Sequence, residues 1–234
     1  PRVKVIKELI REGKIGDVLE LRGHGKEDRR GGGEDLMVLG THAFDLMRHL
    51  AGDARWCFAR IQSAGRRAVA GDVKQAGEQI GPVLGDHISA TYGFDGLATG
   101  RFTTHVAKAG ASSRYWLEVR GTKGTIHLGY GILPVAYLCE DPGGLFGQSK
   151  AAWQPVTSAG VGKPEPLDAK SLENGNIFIV NDLIEAIEKD RPPLDSLADG
   201  RAALEMVLAV YESHRLERPV ELPLKNRKHP LAVM

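Results

Sequence analysis

The chain has 234 residues, 42% of them hydrophobic and 26% charged, with a net charge of +1. That composition supports a sizeable core in one or two domains, and it gives no global field for nucleic acid or an anionic membrane. No apolar run approaches the length of a membrane span, and the two cysteines, Cys57 and Cys139, make neither a disulfide framework nor a metal-binding spacing.

The chain opens without Met, inside a helical pattern, so it reads as a fragment; a targeting segment upstream stays open. Val3, Ile6, Leu9 and Ile10 repeat at helical spacing and predict a helix from Val3 to Gly13, where glycine stops it. Ile15 to Gly25 reads as a strand. Arg29 to Glu34 reads as a loop, because three consecutive glycines, Gly31 to Gly33, favour neither helix nor strand. Leu36 to Leu50 reads as one helix with Gly52 as its C-cap.

From Ala54 to about Pro155 the texture changes. Trp56–Gln62, His87–Phe94, Leu97–His105, Tyr115–Arg120 and Thr125–Leu128 are rich in β-branched and aromatic residues and read as strands. Asp95-Gly96 and the Gly121-Thr122-Lys123-Gly124 stretch supply hairpin turns, which imply antiparallel pairing. Ala64 to Leu84 is Gly-rich and weakly patterned, and reads as a long surface loop. Both cysteines sit in apolar runs and read as buried, inert thiols.

Ala159 to Leu172 reads as a Pro/Gly/Lys-rich connector. Two helices follow, Gly175–Lys189 and Ser196–Glu217. Their apolar stripes, Ile177/Val180/Ile184/Ile187 and Leu204/Val207/Leu208/Tyr211, predict packing on one face of the sheet. Pro219 to Leu222 reads as a closing strand and 223–234 as a basic, frayed tail. The fold class is therefore α+β, a large, mainly antiparallel open sheet with helices on one face. The other face needs a cover, from a second subunit or another domain.

His42 and Asp45 stand three residues apart in the Gly-rich block Gly31 to Gly52, on one helical face. A histidine titrates near neutrality and suits proton transfer; the alternative is a packing role between helix and sheet. Asp45 can orient the ring, contact substrate, or make an internal hydrogen bond. Arg48 follows at i+3 from Asp45 and reads as its ion-pair partner. His42 and Asp45 alone are too few ligands to hold zinc. Trp116 and His105 lie on strands; Trp116 can stack on a sugar ring or face another subunit.

Four segments in order resemble the C-terminal domain of the glucose-fructose oxidoreductase/inositol dehydrogenase/MocA family. They are Ile10-Arg11-Glu12-Gly13-Lys14-Ile15-Gly16-Asp17-Val18, the block Gly31 to Gly52, Val119 to Ile126, and Asp199-Gly200-Arg201-Ala202-Ala203-Leu204-Glu205 with Tyr211-Glu212-Ser213. The resemblance covers nearly the whole chain. It implies a dihydrodipicolinate-reductase-like or glyceraldehyde-phosphate-dehydrogenase-like C-terminal fold and places 1–234 as a single substrate-binding and oligomerisation domain. The parent would be an NAD(P)-dependent oxidoreductase acting on a CH–OH group of a sugar, inositol or related polyol. His42 matches the family's general acid/base. Lys26 and Arg29 enter the Gly-rich loop near the family's substrate cleft, so they and Asp45 and Trp116 are the candidate substrate contacts. NAD or NADP belongs to the full-length parent, and no cofactor or metal is expected in this chain. The Gly-x-Gly-x-x-Gly turn and the Glu-Lys-Pro motif are both absent from it. Homo-oligomerisation through the sheet face, a cytoplasmic location, and no nucleic-acid or membrane partner complete the expectation.

One departure stands out. Sugar dehydrogenases of the family often carry Asp four residues before this histidine, where this chain has Val38. Either another acid such as Asp35 serves, or His42 works unassisted, or the protein is a non-catalytic ligand-sensing or interaction scaffold. A glycosidase with a transient NAD redox cycle is the third reading.

Overall fold

The computed structural model describes residues 1–107, 115–131, 134–144, 152–168 and 173–234. The elements in chain order are α1 (Arg2–Arg11), β1 (Val18–His24), α2 (Gly33–Val38), α3 (Gly40–Ala51), β2 (Ala54–Ser63), β3 (His87–Phe94), β4 (Thr99–His105), β5 (Trp116–Gly121), β6 (Thr125–Gly129), β7 (Ala136–Cys139), β8 (Gln154–Thr157), α4 (Glu173–Glu188), α5 (Leu197–Leu216) and β9 (Val220–Glu221). The fold is α+β. The chain forms two compact units, one of residues 1–19 and 117–199, the other of 20–116 and 200–234.

In the first unit, α1 ends where Gly13 takes φ +74 and its N–H donates to the Ile10 carbonyl at 2.9 Å. Ile6, Leu9 and Ile15 are buried, as are Leu117, Val119, Ile126, Leu128 and Leu138 at alternate strand positions. β6, β7 and β8 pair antiparallel in that order, and residues 160–161 add a short strand outside β8. Neither β7 nor β8 is visible in the sequence pattern, since each is only four residues long.

The helix α4 departs from its expected packing. Among its described side chains only Ala186 is buried, while Ile179 is 61% and Ile187 73% exposed, and Ile177, Val180, Leu183 and Ile184 are exposed too. Helical periodicity reports that a face is apolar. It does not say that the same chain supplies the cover. The last residues of the preceding connector, 169–172, lie outside the described residues.

In the second unit the strand order is β1-β4-β3-β2-β9. β4–β3, β3–β2 and β2–β9 are antiparallel, and β1 joins β4 in parallel, with Glu20 opposite Thr99 and His24 opposite Thr103. The helix read over Leu36–Leu50 is two helices. α2 stops at Val38, whose carbonyl accepts a hydrogen bond from Thr41 Oγ1 at 2.9 Å, and Leu39 breaks the turn before Gly40. Phe44 of α3 packs edge-on against Tyr92 and Phe102, both with ring centres 5.0 Å away. Met206, Val207, Val210 and Tyr211 bury the inner face of α5.

α5 also carries buried polar groups with defined tasks. Ser213 Oγ accepts the Ala59 N–H at 3.0 Å, and His214 Nδ1 accepts the Ile61 N–H at 3.1 Å. β2 would otherwise leave these two donors unmet. Two further expectations change. Residues 64–84 are not a bare loop but hold short strands at 66–67, 74–75 and 82–83, and the tail is anchored by buried Leu224, Pro230 and Leu231. Cys57 and Cys139 are buried free thiols, and burial pushes the Cys57 thiol up.

Candidate functional site

His42 stands in the first turn of α3, exposed, with no hydrogen bond or ion pair among the described residues. The helix beneath it is fixed, because Ala43, Phe44, Met47 and Leu50 are buried and Gly52 caps its end at φ +86. An exposed imidazole on an anchored helix is available to an incoming group without rearrangement of the core.

Asp45 lies 3.8 Å from Arg48 Nη1, and Arg48 also meets Asp53 at 2.8 Å. Arg48 thus stands between two carboxylates and holds Asp45 to the surface of its own helix. Lys26 Nζ is 3.4 Å from Asp28 Oδ2, which leaves Arg29 as the exposed cation of the loop. The Trp116 ring packs 4.6 Å from His24. Trp116 and Lys26 therefore belong to the β1 end of this unit, and His42 and Asp45 to α3.

Asp35 does not orient His42. It is buried, and its carboxylate accepts the Lys26 N–H at 3.2 Å, the Glu27 N–H at 3.3 Å and the Thr104 hydroxyl. Burial raises its pKa against these hydrogen bonds. Thr104 Oγ1 accepts the Gly32 N–H at 3.2 Å in turn. Asp35 is a clamp that ties the loop after β1 to β4, and Gly25 is obligatory beside it, since a Cβ there would lie 2.0 Å from Asp35 Oδ2. No sequence signal separates such a clamp from a catalytic acid, because both are an Asp in a glycine-rich neighbourhood.

Glu27 is a second group the sequence hides. It is 1% exposed, with Oε1 3.0 Å from His105 Nδ1 and 3.6 Å from His24 Nδ1.

A nicotinamide dinucleotide needs a glycine turn whose backbone can approach a pyrophosphate. Gly31, Gly32 and Gly33 do not offer one. A Cβ on each would meet the His105, Gly85 and Leu84 carbonyl oxygens at 1.9, 2.4 and 2.6 Å, so their open sides are already filled by backbone. Among the described residues no set of three or more His, Cys, Asp or Glu side chains could hold a metal ion, and no helix is long and apolar enough to cross a membrane.

Residues 7–222 match the family model described as the oxidoreductase family, C-terminal alpha/beta domain. No curated protein matches this chain. Among solved structures, levoglucosan dehydrogenase in complex with NADH and levoglucosan aligns with a TM-score of 0.70 at 22% identity, covering 95% of this chain and 63% of that one. An oxidoreductase domain protein from Kribbella flavida gives 0.69 at 22%, with 95% and 63% covered. The WlbA dehydrogenase from Bordetella pertussis, in complex with NADH and UDP-GlcNAcA, gives 0.60 at 17%, with 96% and 61% covered. The chain therefore spans a little under two thirds of the length of these structures. With the family match running from α1 to β9 over the elements described above, the chain belongs to the glucose-fructose oxidoreductase/inositol dehydrogenase/MocA oxidoreductase family, as its C-terminal α/β domain.

Proposed function

We propose that this chain is the substrate-binding and oligomerising part of an NAD(P)-dependent oxidoreductase that acts on a CH–OH group of a sugar, inositol or related polyol in the cytoplasm. The observation that carries the reading is His42, exposed and without a partner among the described residues on an anchored helix, inside a chain that the family match covers from residue 7 to 222. In this reading His42 takes a proton from the substrate hydroxyl in oxidation and returns it in reduction. Arg29, exposed in the loop after β1, and Trp116 are the proposed contacts to the polyol, with Lys26 and Asp45 adding polar contacts from positions already braced by Asp28 and Arg48. The residues present do not fit the dinucleotide phosphates, so the cofactor is assigned to the remainder of the parent protein and no step is routed through it here. Self-association through the sheet is supported by Trp56 and Phe58, exposed side by side on the solvent face of β2.

The test uses the parent protein with its upstream domain. His42→Ala should lower kcat by about 10²- to 10⁴-fold, as loss of a general acid/base does, with the melting temperature unchanged because the side chain is exposed. A kcat within a factor of two of wild type would sink the assignment. One observation favours the scaffold reading instead: Val38 stands where an acid would support the histidine, and Asp35 is committed elsewhere. A parent that shows no substrate-dependent NADH formation would put that reading first.

A further inference from the structure

We propose that Thr41 is the positioning residue of His42. Its hydroxyl, bound to the Val38 carbonyl, holds the joint between α2 and α3 in the form that sets the imidazole at the start of α3. The inference rests on His42 as the acid/base of the proposed function and adds what aims it.

Each helix is fixed on its own side of the joint. At the start of α2, the Gly33 N–H donates to the Gly85 carbonyl at 3.0 Å, and the Asp35 carboxylate gathers its donors from the loop and from β4. At its end, the Leu39 N–H donates to the Asp35 carbonyl at 2.8 Å. α3 is held by the burial of Ala43, Phe44 and Met47. The joint is Leu39, Gly40 and Thr41, and His42 follows at once. Gly40 sits against the core: a Cβ there would lie 3.3 Å from Leu36 Cδ1 and 3.5 Å from the rings of Phe44 and Phe102. With both flanks fixed, the conformation of the joint decides where His42 points.

In an unbroken α-helix the Val38 carbonyl would accept the His42 N–H, four residues on. Here α2 ends at Val38 and α3 begins at Gly40, and that carbonyl accepts the Thr41 hydroxyl at 2.9 Å. A hydroxyl that bonds back along the chain in this way competes with helical bonding and bends a helix. Threonine suits the task because its branched side chain has few χ1 states to lose. Without the hydroxyl, the Val38 carbonyl is open to the His42 N–H. The joint is then drawn toward a continuous helix, and the imidazole turns with it. A shift of about 1 Å in a catalytic group can cost about 100-fold in rate. Val38 is no acid and Asp35 is committed to the loop, so neither orients the ring, and Thr41 supports it through the backbone.

The experiment is kinetic and uses the parent protein with its upstream domain. Thr41→Val should lower kcat about 10- to 100-fold with KM within a factor of two, while the melting temperature falls by at most about 4 °C, the scale of one lost hydrogen bond. Thr41→Ser, which keeps the hydroxyl, should recover kcat to within about threefold of wild type. In a His42→Ala background Thr41→Val should have no further effect, because a positioning residue acts only through the group it positions. If His42→Ala is impaired and Thr41→Val keeps wild-type kcat, this proposal alone is overturned. An undiminished loss from Thr41→Val in the His42→Ala background would make Thr41 a substrate contact and remove the positioning role, as would failure of Thr41→Ser to rescue. Wild-type kcat in His42→Ala, or a parent without substrate-dependent NADH formation, would remove the underlying reading and this proposal with it.

Discussion

Asp35 shows how much a single buried carboxylate can organise. Three donors converge on it from the loop after β1 and from β4, and it makes that loop a fixed part of the second unit. Asp35→Ala should cost about 3 kcal/mol in urea unfolding, the scale of losing charge-assisted hydrogen bonds and leaving their donors buried. A loss below 0.5 kcal/mol, on the order of an ordinary surface change, would show that the clamp is dispensable. His214 carries a second prediction. Its Nδ1 accepts from Ile61 and its Nε2–H donates to the Ala68 carbonyl at 2.9 Å, so the folded protein holds it neutral. Burial pulls its pKa below the ordinary 6.5, against the Ala68 hydrogen bond. The folded state then binds fewer protons than the unfolded one, so stability from this group is present above pH 6.5 and is lost as pH falls below it. Urea midpoints should drop between pH 7.5 and pH 5.0, and the drop should be smaller in His214→Asn. Equal slopes in both proteins would remove His214 from the account.

At the scale of elements, α4 and α3 make a contrast. Both have an apolar stripe in sequence, and only α3 buries its own. Val180→Glu combined with Ile187→Glu should therefore change the stability of this chain by no more than about 0.5 kcal/mol, as exposed substitutions do. A loss of several kcal/mol would mean that the stripe is core after all. The helices, the Gly52 cap and the turns at 95–96 and 121–124 were legible because each depends on local geometry: a period, a positive φ, a tight reversal. The split of one helix into α2 and α3 was not, since Leu39 is a strong helix former and gives no stop signal, and only the Val38 carbonyl contact shows the break.

Over the whole molecule, the chain accounts for 63% of the length of the levoglucosan dehydrogenase structure it resembles. Gly31, Gly32 and Gly33 are packed on the backbone of residues 84–86 and 105–106. Calorimetry with NAD or NADP should accordingly show binding by the parent protein and none by this chain. Tight binding by this chain would contradict the reading of Gly31–Gly33, and failure of the parent to bind would remove the dehydrogenase.

The sequence by itself determined the α+β class, the family and the burial of both cysteines, through local periodicity, turn chemistry and motif order; His42 is a candidate acid/base only through what the family resemblance implies. Only the tertiary structure decided that β1 joins β4 in parallel, that Asp35 serves a loop and not His42, and that α4 presents its apolar face outward. Each of these depends on the register or packing of residues far apart in the chain. Composition and spacing are the same for any pairing, whereas burial and hydrogen-bond satisfaction select one.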